Sequence, residues 1–165
     1  MNKDISTEEA HMLLNYDPYT GHLRWRVLRA PRGKPGQIAG ALRPDGYISI
    51  GISGVPYMAH RLAYLMMTGH WPDEQIDHRN HNRSDNRWEN IRAASHGQNQ
   101  HNKLLSGNNR CGIKGIYKRK DCDRWAAFII ANRKTIYLGL FKTKEEAQTA
   151  HQEAAKRVHG EFAAF

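Results

Sequence analysis

Apolar and polar positions divide the chain into regions with different periods. Residues 15–57 combine short alternating runs with Gly-containing turn signals, which is typical of two or three antiparallel strands joined by hairpins. From Tyr57 to Met67 apolar residues recur every three or four positions, which predicts a helix that ends at Thr68 and Gly69. The first part of the chain is therefore predicted to be a small antiparallel β unit followed by a helix.

A sheet and a helix are predicted in the C-terminal third. A helix is expected over about 144–159, because Thr143 is a favourable N-cap and Glu146 completes a capping box. Small residues on one of its faces allow close packing against a sheet; they are Ala147, Ala150, Ala154, Ala155 and Val158. The strand-like segments of that sheet cover 113–118, 125–131 and 135–141.

The middle of the chain lacks a regular apolar period. Residues 74–103 are rich in histidine and asparagine, and 104–112 collect Gly, Ser and Asn as linkers do. We therefore expect an α+β protein with one domain over 1–103, a linker over 104–112 and a second domain over 113–165. In the second domain a three-stranded antiparallel sheet packs on one helix.

The charge of the chain favours an anionic partner. The 165 residues hold 25 Lys and Arg against 16 Asp and Glu, a net charge of +9, which suits nucleic acid or an acidic membrane surface. Most of this excess lies in 101–165, where 13 basic residues accompany 6 acidic ones. Asn90 to Lys120 contains no Asp or Glu, so this stretch is either a basic binding strip or a solvated linker.

Membrane and secreted classes are disfavoured. The longest apolar run, Leu62–Met67, is far shorter than the roughly 20 residues that cross a bilayer. The N-terminus carries acids and lacks the apolar core of a secretory signal, so we expect a cytoplasmic protein. Cys111 and Cys122 are too sparse for a disulfide framework or a zinc knuckle.

Residues suited to phosphodiester hydrolysis occur in order within the polar middle segment. That reaction needs a base to activate water and a cation to neutralise charge on the phosphate. His78 suits the base, because an unperturbed imidazole is largely neutral near pH 7. Asp77 and Asn99 offer the hard oxygen ligands that magnesium and manganese prefer, and Asn90 is a candidate to accept a hydrogen bond from the second ring nitrogen of His78.

The segment His60–Asn102 resembles the HNH homing endonucleases of phages and introns, whose active site is a ββα-metal motif. The resemblance implies that Asp77 and Asn99 bind one Mg²⁺ or Mn²⁺ ion, that His78 is the general base and that Asn90 orients it. It also implies products with 5′-phosphate and 3′-hydroxyl ends, and a bacterial or phage-infected cell as the setting.

The likeness spans about 14–103 and includes Tyr16–Gly21 and Gly46-Tyr47. One departure is His81, which stands where the family usually has a glycine that permits a tight turn with positive φ. His81 either strains this loop or faces the phosphate as a second polar group.

Residues 112–162 resemble the APETALA-type, or ethylene-response-factor, DNA-binding domain, in which a three-stranded sheet enters the major groove. The resemblance rests on Gly115-Ile116-Tyr117, Arg124–Ala127, Tyr137–Phe141 and Glu145-Glu146-Ala147. Trp125 is either a DNA contact or a core residue. Across the chain, the expected DNA contacts are Arg79, Arg83, Lys103, Lys114, Tyr117, Lys118, Arg119, Arg124, Trp125, Arg133 and Lys134.

Several nearby residues have a structural interpretation beside the functional one. His60 is expected to be a structural histidine that bonds the adjacent loop, although a second catalytic group is the alternative. Asp85 and Asn86 are expected to form turns rather than to bind metal. Trp88, Ile76 and Ile91 are expected in the core.

Together these patterns predict a DNA endonuclease that hydrolyses phosphodiester bonds with one divalent ion. With one active site per chain, a monomer should nick double-stranded DNA, and the oligomeric state is open between a monomer and a weak dimer. The alternative is a non-catalytic DNA-binding protein that keeps the fold. A third interpretation, an RNA-processing enzyme, rests on charge alone.

Overall fold

The computed structural model describes residues 4–28, 33–102, 111–131, 134–160 and 163, apart from the side chains of 100–102. The chain forms two compact units, Met1–Ser95 and His96–Phe165. Both units combine α-helices with antiparallel β-sheets, and the predicted α+β fold class is confirmed. Except for residues 111 and 112, the predicted linker lies outside the described residues, so the predicted domain boundaries stay predictions.

The first unit begins with a helix that the sequence patterns did not predict. Helix α1 (Thr7–Leu13) starts where the Ser6 hydroxyl accepts a hydrogen bond from the Glu9 backbone N–H at 3.1 Å. This is an ordinary N-cap. The helix leads directly into β1 (Leu14–Tyr16), which pairs antiparallel with β2 (Leu23–Trp25).

A second sheet follows. The sequence predicted two or three strands over 15–57, whereas the structure has five strands in two sheets among the described residues. The second sheet contains β3 (Ala41–Leu42), β4 (Ile48–Ile52) and β5 (Val55–Met58), with β4 in the centre. Pro35, Gly36 and Gly40 lie between the two sheets, and both glycines have positive φ. Such residues favour turns over continuous strand pairing, which explains why the strands separate into two sheets.

The predicted helix after the second sheet is confirmed as α2 (Ala59–Thr68). It ends because Gly69 adopts a left-handed φ of 82° and donates its N–H to the Leu65 carbonyl at 2.8 Å. Leu62 and Leu65 bury the apolar face of α2 in the same core as Ile50 and Ile52 of β4. The first turn of the helix is therefore fixed to the rigid centre of the first unit.

The polar middle segment forms a hairpin of two strands, β6 (Gln75–His78) and β7 (Ile91–Ala94). Ile76 and Ile91 are buried in the core and Trp88 packs against it, so all three core predictions are confirmed. Residues 79–90 form the loop between the strands. A short helix, α3 (His96–Asn102), follows β7 in sequence and belongs to the second unit.

The second unit also contains the predicted sheet and helix. Strands β8 (Ile116–Lys118), β9 (Trp125–Ala131) and β10 (Lys134–Phe141) form an antiparallel sheet with β9 in the centre. Helix α4 (Lys144–His159) begins at the predicted capping box of Thr143 and Glu146.

The small residues of α4 pack as predicted over most of its length. Ala147, Ala154 and Ala155 are buried, but Val158 is 44% exposed, so the prediction for that residue was wrong. None of the helices in the described ranges is long and apolar enough to cross a membrane.

Candidate active site

Asp77 and His78 end strand β6 as adjacent buried residues. In the β6–β7 register, Asp77 lies opposite Arg92 of β7, which is also buried. The Asp77 Oδ2 atom accepts a hydrogen bond from Arg92 Nε at 3.0 Å and forms an ion pair with Arg92 Nη2 at 2.9 Å. A charged pair removed from water in this way needs close geometry, and the hairpin register provides it.

The ring of His78 contacts an amide from the loop that follows its own strand. Its Nε2 lies 3.3 Å from Oδ1 of Asn86, and both residues are buried. Because an amide oxygen only accepts, Nε2 of the neutral ring carries the proton in this contact, and Nδ1 is the unprotonated nitrogen. Burial lowers the pKa of His78 below its usual value and thus favours the neutral ring that a general base requires.

The amide that contacts the His78 ring is Asn86, whereas the Asn90 amide makes its two hydrogen bonds elsewhere in the loop. Asn90 Oδ1 accepts a hydrogen bond from the Asn80 backbone N–H at 3.0 Å, and Asn90 Nδ2 donates to the Asp85 carbonyl at 2.7 Å. Asn90 therefore crosslinks the two ends of the 79–90 loop. Its side chain makes no hydrogen bond to His78 among the described residues, and its role in orienting that ring stays a prediction. The turn prediction for Asn86 missed its contact with His78, because six asparagines between 80 and 102 offer the same local signal.

Charged groups reinforce the same loop. Asp85 accepts hydrogen bonds from Arg87 Nε and from Asn80 Nδ2, at 2.9 and 2.7 Å. The pKa of Asp85 is lowered to about 2, mainly by the hydrogen bonds from Arg87. Asp85 Oδ1 also accepts a hydrogen bond from the Arg87 backbone N–H at 3.3 Å, which confirms its predicted role in turn formation. His81 has a φ of 63°, the left-handed conformation that a glycine would adopt at no cost.

The β1–β2 hairpin contacts the 79–90 loop through hydrogen bonds and a close approach of the two backbones. The Tyr16 hydroxyl donates to the Asn86 carbonyl at 2.7 Å, and the Trp88 backbone N–H donates to the Pro18 carbonyl at 3.0 Å. Gly21 approaches so closely that an added Cβ would lie 2.5 Å from the Arg87 backbone nitrogen. The backbone that carries Asn86 is therefore held by the N-terminal hairpin.

Two aromatic side chains from other elements surround the His78 ring. The centroid of His60, in the first turn of α2, lies 5.2 Å from that of His78, with the rings nearly perpendicular at 83°. Tyr47 lies 5.1 Å from His60 and 5.9 Å from His78. The hydrogen bond expected from His60 to the adjacent loop is absent among the described residues: its Nδ1 is buried and has no partner there.

The donor chemistry at Asp77 fits a hard divalent cation. Magnesium keeps several waters and is held by one or two carboxylates together with substrate phosphates, so a single buried carboxylate suffices as its acidic ligand. No cluster of three His, Cys, Asp or Glu that could hold an ion occurs among the residues described. Asn99 lies half-buried on α3 in the second unit, and its role as the second ligand stays a prediction.

Two predicted DNA contacts flank this site. Arg79 is exposed directly after β6, and its backbone N–H donates to the Asn90 carbonyl at 2.9 Å. Arg83 is exposed with its guanidinium carbon 4.9 Å from the centre of the Tyr47 ring, and its Nη1 donates to the Asp45 carbonyl. Lys103 lies outside the described residues.

Comparison with known proteins places this geometry in a family context. Residues 57–101 match the family model described as HNH endonuclease, and this range contains Asp77, His78 and the 79–90 loop. The chain contains an HNH endonuclease domain. The nuclease part of the resemblance is thereby confirmed.

Two known proteins resemble the chain over a longer range. An uncharacterized HNH endonuclease, L560, of Acanthamoeba polyphaga mimivirus is 34% identical over 107 residues, which are 64% of this chain and 54% of that protein. The matched region thus spans about half the length of this curated relative. A solved structure of DNA binding and cleavage by the HNH homing endonuclease I-HmuI is 19% identical with a TM-score of 0.47, covering 95% of this chain and 90% of that one.

Outside the HNH domain, the sheet of the second unit has one face covered by α4 and one open face. Ala127 and Ile129 of β9 face the helix. The open face carries apolar and aromatic side chains, because strand residues two apart share a face and paired residues align across strands. These are Tyr117, Phe128, Ile130 and Tyr137.

Trp125 belongs to the helix side of this sheet. It packs against the cluster of Ile116, Ala127 and Ala147, and the ammonium of Lys118 lies 5.9 Å from the centre of its ring. Among the predicted strand contacts, Tyr117 lies on the open face, whereas Lys118 and Trp125 lie on the other. The core alternative for Trp125 is the one that the geometry supports.

The remaining predicted DNA contacts of the second unit lie in turns and at strand ends. Lys118 pairs with Asp123 at 2.6 Å, and Arg119 Nε donates to Asp121 at 2.7 Å. Burial lowers the pKa of half-buried Lys114. Arg124 and Lys134 are exposed, and Arg133 lies outside the described residues.

Proposed function

We propose that the chain is a metal-dependent, homing-type DNA endonuclease whose HNH domain hydrolyses phosphodiester bonds. One observation carries the proposal: Asp77 and His78 are adjacent and buried at the end of β6, and Asn86 holds the His78 ring. A carboxylate beside a neutral, oriented imidazole is the pair of groups that water activation at a phosphate requires.

In the proposed reaction, His78 takes a proton from the attacking water at Nδ1. The contact between Nε2 and Asn86 keeps the ring in the required tautomer. Burial disfavours the charged imidazolium before the reaction, so the ring is ready to accept the proton. The water oxygen bonds to phosphorus and the bond to the 3′ oxygen breaks. That oxygen takes a proton from solvent, so the products carry 5′-phosphate and 3′-hydroxyl ends.

Asp77 and Asn99 are the proposed ligands for one Mg²⁺ or Mn²⁺ ion. Such an ion, when bound, supplies positive charge for the phosphate and for the leaving oxygen. Arg92 holds Oδ2 of Asp77 through a hydrogen bond from Nε and an ion pair with Nη2, and thereby favours one orientation of the carboxylate. Arg92 also compensates the buried negative charge when no ion is bound.

Double-stranded DNA is the proposed substrate, and the second unit is the proposed recognition module. The support for this role is charge: 101–165 carries 13 of the 25 basic residues and only 6 of the 16 acidic ones. Arg79 and Arg83 would add phosphate contacts beside the HNH site. One active site per chain favours nicking, and a double-strand break would require two chains or two events.

Conversion of supercoiled plasmid at low salt tests this function. Wild type should nick the plasmid with Mg²⁺ or Mn²⁺ and should leave it intact with EDTA. His78→Ala should lower the cleavage rate about 100- to 10,000-fold, the range for loss of a general base, while a parallel gel shift shows unchanged DNA binding. A His78→Ala variant that cleaves at the wild-type rate would contradict the proposed role.

A non-catalytic DNA-binding protein is the second candidate, and the Asp77–Arg92 ion pair favours it. In that case the guanidinium replaces the cation permanently, and divalent ions have no effect on the protein. Thermal unfolding with and without Mn²⁺ separates the candidates. A stabilisation by Mn²⁺ that Asp77→Asn abolishes supports the endonuclease. Equal unfolding temperatures, together with retarded but uncut DNA, support the binding protein.

A further inference from the structure

Three rings from three separate elements meet beside the proposed base. Tyr47 precedes β4, His60 lies in the first turn of α2, and His78 ends β6. The His60 ring stands nearly perpendicular to the His78 ring with 5.2 Å between their centroids. Aromatic rings prefer this edge-to-face arrangement, since the positive edge of one ring meets the negative face of the other.

The backbone that carries His60 is rigid. His60 is buried, and its neighbours on α2, Leu62 and Leu65, are fully enclosed in the core of the first unit. The 79–90 loop provides a second contact to His78, in which Oδ1 of Asn86 lies 3.3 Å from Nε2 of the ring. His78 is thus contacted by a loop amide at one nitrogen and by a core-anchored ring on its flank.

We propose that His60 is a positioning residue that holds the plane of the His78 ring through this edge-to-face contact. The inference rests on the proposed function, because it assigns His60 to the orientation of the general base. His60 acts in this role through its ring and not through a hydrogen bond, since its buried Nδ1 has no partner among the described residues. Tyr47 packs against both histidines and completes the enclosure.

The electrostatics of His60 suit this role. Burial lowers its pKa to about 3, so the ring stays neutral under ordinary conditions. A neutral neighbour does not oppose the positive charge that His78 acquires when it accepts a proton. Two charged imidazoles at this separation would repel each other.

Because Nδ1 of His60 has no hydrogen-bond partner among the described residues, His60 can be replaced without the loss of a hydrogen bond at that atom. A buried polar atom without a hydrogen bond is unfavourable, and its replacement by an apolar group of similar shape is neutral or stabilising. His60→Phe keeps an aromatic edge, whereas His60→Leu fills similar volume without one. We expect both variants to fold, with unfolding temperatures at or above that of the wild type.

Cleavage kinetics should separate the two variants. His60→Leu should lower kcat at least 10-fold with KM and gel-shift affinity within 2-fold of wild type, because the ring orientation affects only the chemical step. His60→Phe should retain kcat within about 3-fold of the wild type. Full activity of folded His60→Leu would overturn the proposal, and so would equal losses in both folded variants, which would assign the role to the nitrogen.

A measurement on the wild type covers the case in which a variant fails to fold. Nuclear Overhauser effects between the ring protons of His60 and His78 should be present, and their absence overturns the proposal. If wild type cleaves no DNA with either metal, the proposed function fails, and this inference fails with it. If wild type cleaves and His60→Leu matches it, only the positioning role fails.

Discussion

In the first unit Asp77, His78 and Arg92 are buried, and their partners come from the neighbouring strand and the adjoining loop. In the second unit Lys118 and Arg119 are exposed, and their acidic partners lie a few residues away in the same turn. A buried charge must be fully compensated, so each partner in the first unit is structurally necessary. An exposed pair is screened by water and contributes little to stability.

The difference separates two kinds of functional residue. The proposed catalysis depends on the orientation of Asp77 and His78, and hydrogen bonds and neighbouring rings restrict both side chains. Contacts to a DNA backbone depend mainly on charge, so exposed lysines and arginines can serve without a fixed conformation. Variants of the buried and of the exposed groups test this contrast.

Arg92→Met should destabilise the first unit by about 3–5 kcal/mol, because it leaves the Asp77 carboxylate buried without its partner. Chemical denaturation measures the loss. The matched control is the double variant Asp77→Leu with Arg92→Met, which removes both charges and should recover most of the stability. If Arg92→Met is as stable as the wild type, the buried Asp77–Arg92 pair contributes as little as the exposed pairs, and the proposed difference between the two units is wrong.

Gly21→Ala should cost about 2–3 kcal/mol, since a left-handed alanine costs roughly 1–2 kcal/mol and its Cβ would also collide with backbone. The added atom would lie 2.5 Å from the Arg87 nitrogen. Gly36→Ala is the control: Gly36 has a φ of 82°, but nothing lies within 4 Å of its added Cβ. Unfolding free energies that match in both variants would show that the N-terminal turn does not support the 79–90 loop.

Asp85→Asn tests the loop through its pH dependence. The pKa of Asp85 falls from its usual 3.8 to about 2 on folding, chiefly because Arg87 donates to its carboxylate. A lowered pKa contributes stability that is present above about pH 4 and is lost as the pH falls through 2. We expect wild type to exceed the variant by about 1 kcal/mol at pH 6 and to match it near pH 2, since the exposed Arg87 weakens the pair. A constant difference over this range would contradict the assignment.

The sequence predicted those elements whose signals are local. The capping box of Thr143 and Glu146 predicts the start of α4, and Gly69 predicts the end of α2. The Ser6 cap of α1 has the same kind of signal, and the pattern of Ser6 and Glu9 could have identified that helix. Elements defined by caps and turns are therefore accessible to sequence analysis.

The partners within the site could not be predicted in the same way. The pairing of Asp77 with Arg92 depends on the strand register, and the contact between His60 and His78 depends on how α2 packs on the hairpin. Asn86 and Asn90 have the same chemistry and lie four residues apart, so only the path of the loop decides which reaches the His78 ring. Periodicity contains none of this information.

Lys118→Met tests the second unit, where we expect the smallest effect on stability. Its ion pair with Asp123 is exposed, so the unfolding free energy should change by less than about 0.5 kcal/mol. If the unit binds DNA backbone, the slope of log affinity against log salt should fall in magnitude by about 1 for the lost phosphate contact. Fluorescence anisotropy with a labelled duplex measures both affinity and slope.

Asp123→Asn provides the opposite change at the same position. It releases Lys118 from its acidic partner and removes one negative charge from the turn, so DNA affinity at low salt should rise while Lys118→Met lowers it. Screening by salt weakens both effects, and the two variants should converge on wild type at high ionic strength. Changes of the same sign in both variants would indicate that the turn affects DNA binding through its conformation, and the exposed pairs would then share the orientational role of the buried ones.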